Sequence, residues 1–372
     1  MKIKFLAVLI GLFVWAAPVS IAHAATSVAA PSPDEYYKGT VVHIIKEIKK
    51  PGTELYSQDV EVRLTTGPET DKLVPLNYGG SDAITAKQKV VVGDKVVIIR
   101  VLDATTNAPT YYLSDFDRLP WLYGFIIFFF VIACIFGGRR GITSLGGLVS
   151  TVAILLLYIV PRIIAGDSPV TTVLIGSAAI ILFSMFFAHG INRQTAVAVV
   201  STFGTIIFAI GFAALAIKLA HMFGTGSEEA MYIQLNNAGT LDVRGVLLGG
   251  MIIGTIGVLD DVTTAQTAAA AEIHDAKPGM HFTELFTRVM RVGREHIASL
   301  VNTLVLAYAG ASFPLFLLLY STRDAQPLWV VFNSQQLAEE ITRTVVGSVT
   351  LVLAVPLSSA LAAWYYTRHN KT

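Results

Sequence analysis

From residue 119 onward the sequence is a succession of apolar runs, too long and too numerous for one water-soluble core. They fall at about 119–136, 141–164, 169–189, 195–220, 243–259, 297–320 and 341–366. A helix crosses the hydrocarbon of a bilayer in ~20 apolar residues, so seven transmembrane helices are expected. The overall balance agrees: 53% of residues are hydrophobic and only 14% charged, against about 25% charged in an ordinary soluble domain. Trp121, Tyr123, Trp364, Tyr365 and Tyr366 stand at run ends, where amphipathic rings favour the headgroup level.

The N-terminus reads as a targeting segment over 1–24. Lys2 and Lys4 precede an apolar stretch from Phe5 to Trp15, and Ala22-His23-Ala24 has the small-x-small form of a cleavage site. The apolar stretch ends near Pro18, short of a spanning length. Cleaved or retained, such a segment places the residues C-terminal to it outside the cytosol. Residues 25–35 are rich in Ala, Ser and Pro and read as a disordered leader.

Residues 36–118 change character. Short Val/Ile/Thr/Tyr runs at about 40–48, 59–66, 72–78, 95–101 and 110–113 alternate with turn residues such as Gly52, Gly67-Pro68, Gly79-Gly80 and Gly93-Asp94. Five strands in so short a region predict a small closed barrel, OB-like or SH3-like, because closure removes exposed edges. The lone Cys134 rules out an internal disulfide. Net charge is +1 and no basic groove accompanies the strands, so no nucleic-acid partner is expected. The fold class expected is therefore a mostly α membrane bundle preceded by a small extracytoplasmic β-barrel-like domain.

Charge placement sets the orientation. With the N-terminal domain outside, alternate connections put Arg139, Arg140, Arg193, Lys277, Arg288, Arg291, Arg294, Arg368 and Lys371 in the cytosol. Fewer cations, Arg162, Lys218, Arg244, Arg323 and Arg343, fall on the outer side. This positive-inside bias gives a cytosolic C-terminus in a bacterial plasma membrane.

Polar residues that interrupt the runs are the candidates for function. Gly250, Gly254 and Gly257 form a smooth stripe suited to close helix packing. Asp260 and Asp261 follow after about 15 to 17 apolar residues. At about 100° per residue, Asp261, Thr264, Ala265, Ala268 and Glu272 share one helix face. An acid costs about 2.5 to 3.5 kcal/mol at a membrane helix centre, so a carboxylate there should face a polar cavity, a partner or an ion. Thr263, Thr264 and Gln266 add hydroxyl and amide groups. The plain alternative is that the membrane ends at Leu259 and the carboxylates are solvated.

Farther on, Phe282, Leu285, Phe286, Val289 and Met290 form an apolar face beside Arg288, Arg291 and Arg294. A helix over 282–294 is expected to lie on the cytosolic leaflet, with its arginines reaching lipid phosphates. Ser299, Asn302 and Thr303 then make a polar patch in the next run, where Asn302 can bond across a helix interface.

The run GVLDDVTTAQTAAAAEI, followed by HFTELFTRVMRVGREHIASLVNTLVLAYAGASFPLFLLL, resembles the core of the YibE/F family of bacterial membrane proteins. The signal, the β-rich region with Val92 to Val96, and Tyr112 to Arg118 fit the same resemblance. It implies a polytopic membrane protein with no established reaction. Asp261 stands at the position of the family's recurrent aspartate, and Arg294, Asn302, Thr303, Tyr308 and Gly310 fit its following helix.

Three function classes remain. A transporter or permease for a small solute or ion leads, with Asp260, Asp261, Thr264, Gln266, Glu272 and Asn302 as binding candidates. A membrane-anchored assembly or sensing protein comes second, its exported domain binding a protein or wall component. An enzyme is not expected. Asp260 and Asp261 point about 100° apart, no other run supplies an interior acid, and Arg294-Glu295-His296 lacks zinc-protease spacing. No cofactor is expected, and no pattern fixes a metal.

Overall fold

The computed structural model of the chain describes residues 35–80, 83–102, 108–236, 240–321 and 325–369. The expected signal at 1–24, the leader before Glu35 and Lys371 lie outside the described residues. The chain divides into two compact units at Val131/Ile132.

The first unit is an antiparallel sheet. Its strands are β1 (Glu35–Lys49), β2 (Leu55–Leu64), β3 (Leu73–Tyr78), β4 (Ile84–Thr85), β5 (Lys95–Leu102) and β6 (Pro109–Phe116). The order is β3-β2-β1-β5-β6, with the short β4 also on β2. Alternating residues send Val41, Val60, Val62, Leu64, Val74, Val96 and Ile98 into one core. Full burial of such side chains contributes about 1.5–3 kcal/mol each. Gly39 sits where a Cβ would meet Val62 at 2.5 Å and Ile98 at 2.7 Å, so the sheet can curl tightly there.

The expected closed barrel is a half-barrel instead. Among the described residues β3 pairs only with β2, and β6 only with β5. Pro75 in β3 has no N–H to donate, which confines that strand to an edge. Polar groups are satisfied at the rim. Lys38 pairs with Asp117 at 2.9 Å, Lys89 with Glu47 at 2.7 Å, and Arg100 with Glu35 at 2.6 Å. The Tyr37 hydroxyl also donates to Glu35. This bond and the Arg100 guanidinium hold the Glu35 carboxyl below its ordinary range. Lys38 does the same for Asp117, and Lys89 for Glu47.

The second unit is helical. Its elements are α1 (Leu119–Ile164, which begins in the first unit), α2 (Pro169–His189), α3 (Arg193–Leu219), α4 (Glu228–Asn236), α5 (Val243–Ala276), α6 (Phe282–Ala311), α7 (Phe313–Ser321), α8 (Leu328–Phe332) and α9 (Gln335–His369). Among the described residues five helices are long and apolar enough to cross a membrane, or six if the bent pair α6 and α7 forms one span. The sequence reading counts seven because it divides α1 in two. α1 does break inside: Gly138 has φ 54° and ψ −136°, and a Cβ at Gly141 would lie 2.2 Å from the Ala133 carbonyl oxygen. An unbroken helix separates residues eight apart by about 12 Å, so the chain turns sharply at this glycine.

α6 also differs from expectation. Residues 282–294 do not form a separate helix ahead of an upright one, since 282–311 is continuous. The bend, 61°, falls after Ala311. Pro314 cannot continue the hydrogen-bond ladder of the preceding turn, whereas nothing between Arg294 and Ile297 breaks a helix. Gly293 serves packing: a Cβ there would meet Val355 at 2.4 Å and the Gln266 side-chain oxygen at 2.9 Å.

α9 packs against α5, α6 and α3, and α5 against α3 and α2. Buried hydroxyls inside this bundle bond back to their own helices. Thr202 donates to the Ala198 carbonyl (3.0 Å), Thr205 to Ser201 (2.9 Å) and Thr267 to Thr263 (2.7 Å). That local pairing removes most of the cost of burying them. Glu339, near the start of α9, is a buried acid that the sequence reading missed. It accepts from the backbone N–H of Gly224 (3.0 Å) and Gly226 (3.2 Å) and from Gln335 (2.8 Å), and so clamps a loop.

Candidate functional site

α5 carries the acids. Asp242 caps it by accepting from the Gly245 N–H at 2.9 Å. Residue 260 lies about 26 Å along the helix from Val243, at 1.5 Å per residue, and the helix runs on to Ala276. Asp260, Asp261, Thr264, Ala265, Ala268 and Glu272 all line one open cavity of about 1030 Å³. Arg140 and Ser144 of α1, His189 of α2 and Thr195 of α3 complete its polar wall.

A second, smaller pocket of about 120 Å³ lies beside this cavity. Thr151, Ser184, Gly257 and Asp260 line both spaces. Asp260 therefore belongs to the wall of both. Ser184 of α2 donates to its Oδ2 at 2.8 Å, and Thr264 donates to Oδ1 over a longer 3.5 Å. Behind it, the buried hydroxyls of Thr202 and Thr263 meet at 2.8 Å.

The two neighbouring aspartates differ in setting. Asp260 is half-buried and bonded across helices, while Asp261 is exposed to the wide cavity, as is Glu272. The sequence reading ranks Asp261 first because the helical wheel aligns it with Glu272. Interhelix contact favours Asp260, since α2 approaches α5 on that side and brings Ser184 within reach.

Other candidates lie elsewhere. Gln266 is buried between α5, α6 and α9, where it accepts from Ser359 at 3.0 Å. Asn302 is exposed on α6, away from the cavity. Arg288, Arg291 and Arg294 are exposed on α6, with Arg288 bonded to Glu284 at 2.9 Å. The stripe Gly250, Gly254 and Gly257 does not receive a helix backbone. A Cβ at Gly250 or Gly257 would meet nothing within 4 Å, and one at Gly254 would meet the Tyr308 hydroxyl at 2.9 Å. Close approach occurs instead at Gly147, where a Cβ would lie 3.3 Å from the Ser184 backbone, and at Gly249, where one would lie 2.7 Å from the Val173 side chain. These two glycines take close contacts from α2, whereas within the stripe Gly250 is open, Gly254 meets the Tyr308 side chain and Gly257 lines the cavity and pocket.

Sequence reasoning missed Thr151, Ser184 and His189. A serine inside the apolar run Ile180 to Phe187 was the available signal. Among the described residues no group of three metal-ligating side chains comes together.

An N-terminal antiparallel sheet joined to a bundle of apolar helices, with an acid-lined cavity among the helices, defines a class of multi-helix protein whose helices suit a membrane. The family model of YibE/F-like protein matches residues 125–368 of 372, and the chain belongs to that family. No curated protein and no solved structure matches the chain.

Proposed function

We propose that this protein is an integral plasma-membrane permease for a small solute or ion, and that its path passes Asp260. The carrying observation is a carboxylate that lines both a wide cavity and a small inner pocket, inside a bundle of apolar helices. Intramembrane acids that face cavities characterise ion and proton pathways. The bundle's outer surface supports a lipid setting: Phe136, Leu157 and Ile207 are all more than two-thirds exposed, a pattern that promotes aggregation in water.

In this reading α1 spans twice through its break at Gly138, and the bent α6 and α7 pair spans once, which yields seven crossings. The sheet unit lies outside and the C-terminus in the cytosol. The wide cavity, lined by Arg140 and His189, then opens on the cytosolic side, with Arg288, Arg291 and Arg294 near lipid headgroups. Metabolite and metal profiling of a deletion strain, followed by flux into proteoliposomes, tests the proposal. Absence of any solute flux with correctly inserted protein would overturn it.

A second reading has its own observation. A groove of about 1020 Å³ runs between β3 and β6, lined by Tyr78, Tyr111, Tyr112, Asn77 and Gln88. Such a groove suits a membrane-anchored assembly or sensing protein that grips an extracytoplasmic protein or wall component. Binding by the sheet unit without flux would favour it.

A further inference from the structure

We propose that the inner pocket beside Asp260 binds a small alkylammonium cation, a protonated amine bearing a few methyl groups. This rests on the transport reading above and names the class of its solute. The pocket wall is apolar, made by Ile180, Ile181, Met185, Ile253 and Ile256. Its polar lining is Thr151, Ser184, Thr202 and Asp260, with Ser184 and Asp260 bonded to each other at 2.8 Å. The Thr202 hydroxyl is already engaged by Thr263 and the Ala198 carbonyl.

Size, charge and ligand count converge on that class. About 120 Å³ is somewhat less than the ~150 Å³ cavity that accommodates benzene, so the occupant has only a few heavy atoms. The wide cavity outside presents Asp260, Asp261 and Glu272 against the guanidinium of Arg140, and such an excess of carboxylates concentrates cations. Among the described residues no Lys or Arg forms an ion pair with Asp260, and its Oδ1 accepts only the long bond from Thr264. That oxygen can take an N–H from a protonated amine. Hard inorganic cations such as Ca²⁺ or Mg²⁺ require about six to eight oxygens, and an isoleucine-rich wall cannot supply them. Methyl groups, by contrast, gain by contact with it.

The test is isothermal titration of the full chain in lipid nanodiscs with trimethylammonium, set against sodium, potassium and the bulkier tetraethylammonium. Saturable binding of trimethylammonium is expected, with tetraethylammonium excluded. Asp260→Asn should weaken binding by more than about tenfold, since it removes the charged partner. Ser184→Ala, which leaves the pocket's packing in place, should weaken it less. This second variant keeps the test valid where Asp260→Asn does not fold. Trimethylammonium affinity unchanged in both variants, or Asp260-dependent binding of sodium or potassium with none of trimethylammonium, would overturn the proposal. If trimethylammonium does not bind but Asp260→Asn still abolishes complementation of a deletion strain, the solute class falls and the transport reading stands. If it binds at Asp260 but never enters proteoliposomes, the site stands and transport falls.

Discussion

The two units of this chain distribute polar and apolar side chains in opposite ways. In the sheet unit the interior is Val, Ile and Leu, while charged side chains pair at the rim, as Lys38 does with Asp117 and Arg100 with Glu35. In the helical unit many hydroxyls are inside, among them Thr195, Thr202, Thr205 and Thr263, and large apolar side chains face outward. Inside and outside are distinguished by polarity only where water is the solvent. Where the surroundings are apolar, hydrophobicity no longer drives helices together, and small or hydroxyl residues mediate their contact. In the proposed membrane setting the helical unit has room for a polar cavity, and the sheet unit keeps its polar groove at an open edge.

The largest expected effect lies in the helical unit. Asp260→Asn should abolish activity in a deletion-strain complementation assay at matched protein level, and Asp261→Asn should act more weakly because its side chain is exposed in the cavity. Wild-type activity from both would reduce the acids to solvated boundary groups and leave the anchored-sensor reading ahead.

Close packing provides the next contrast. Gly39→Val in β1 should cost about 1–3 kcal/mol by overpacking, since its Cβ lands on Val62 and Ile98. Gly293→Val should be similarly damaging against Val355 and Gln266. Thermal melts of the full protein, with tolerance at either site counting against the packing described, check both.

Independence of the sheet unit is a further break point. Residues 25–117 expressed alone should give a soluble, β-rich monomer by circular dichroism and sedimentation, because core and hydrogen bonds are internal to it. A helix-dominated or disordered spectrum would refute this. In the same fragment, acid should act through the pairs at Glu35, Glu47 and Asp117, whose folded pKa values are lowered. Their stabilisation is complete above the ordinary carboxylate range and is lost as pH falls through the lowered values. The loss should be small, since exposed pairs contribute little, and weaker still in high salt. A denaturant midpoint that rises on acidification would contradict the pairing.

The smallest effect is expected at Gly250. Alanine there meets open space and should be neutral or stabilising by up to about 1 kcal/mol through helix propensity. Marked destabilisation would reveal a helix or partner seated on that stripe.

Much of this architecture is legible in the residues alone. Strand alternation, turn glycines, apolar helices and the acid face of α5 depend on local periodicity, and periodicity needs no knowledge of neighbours. The resemblance carried by GVLDDVTTAQTAAAAEI was legible for the same reason. The contacts that neighbours decide were not. Ser184 and Asp260 are 76 residues apart, and only the rotation of α2 against α5 brings the hydroxyl to Asp260 rather than Asp261. The same rotation leaves Gly250 without a neighbour while Gly249 takes the close contact with Val173 of α2. The unclosed edge between β3 and β6 is likewise a matter of pairing at long range. The continuity of α6 past Arg294 and its bend near Pro314 were within reach of local rules, but the change from apolar face to apolar run concealed them. Local chemistry specifies which face of each element is distinctive, and packing alone determines what that face meets.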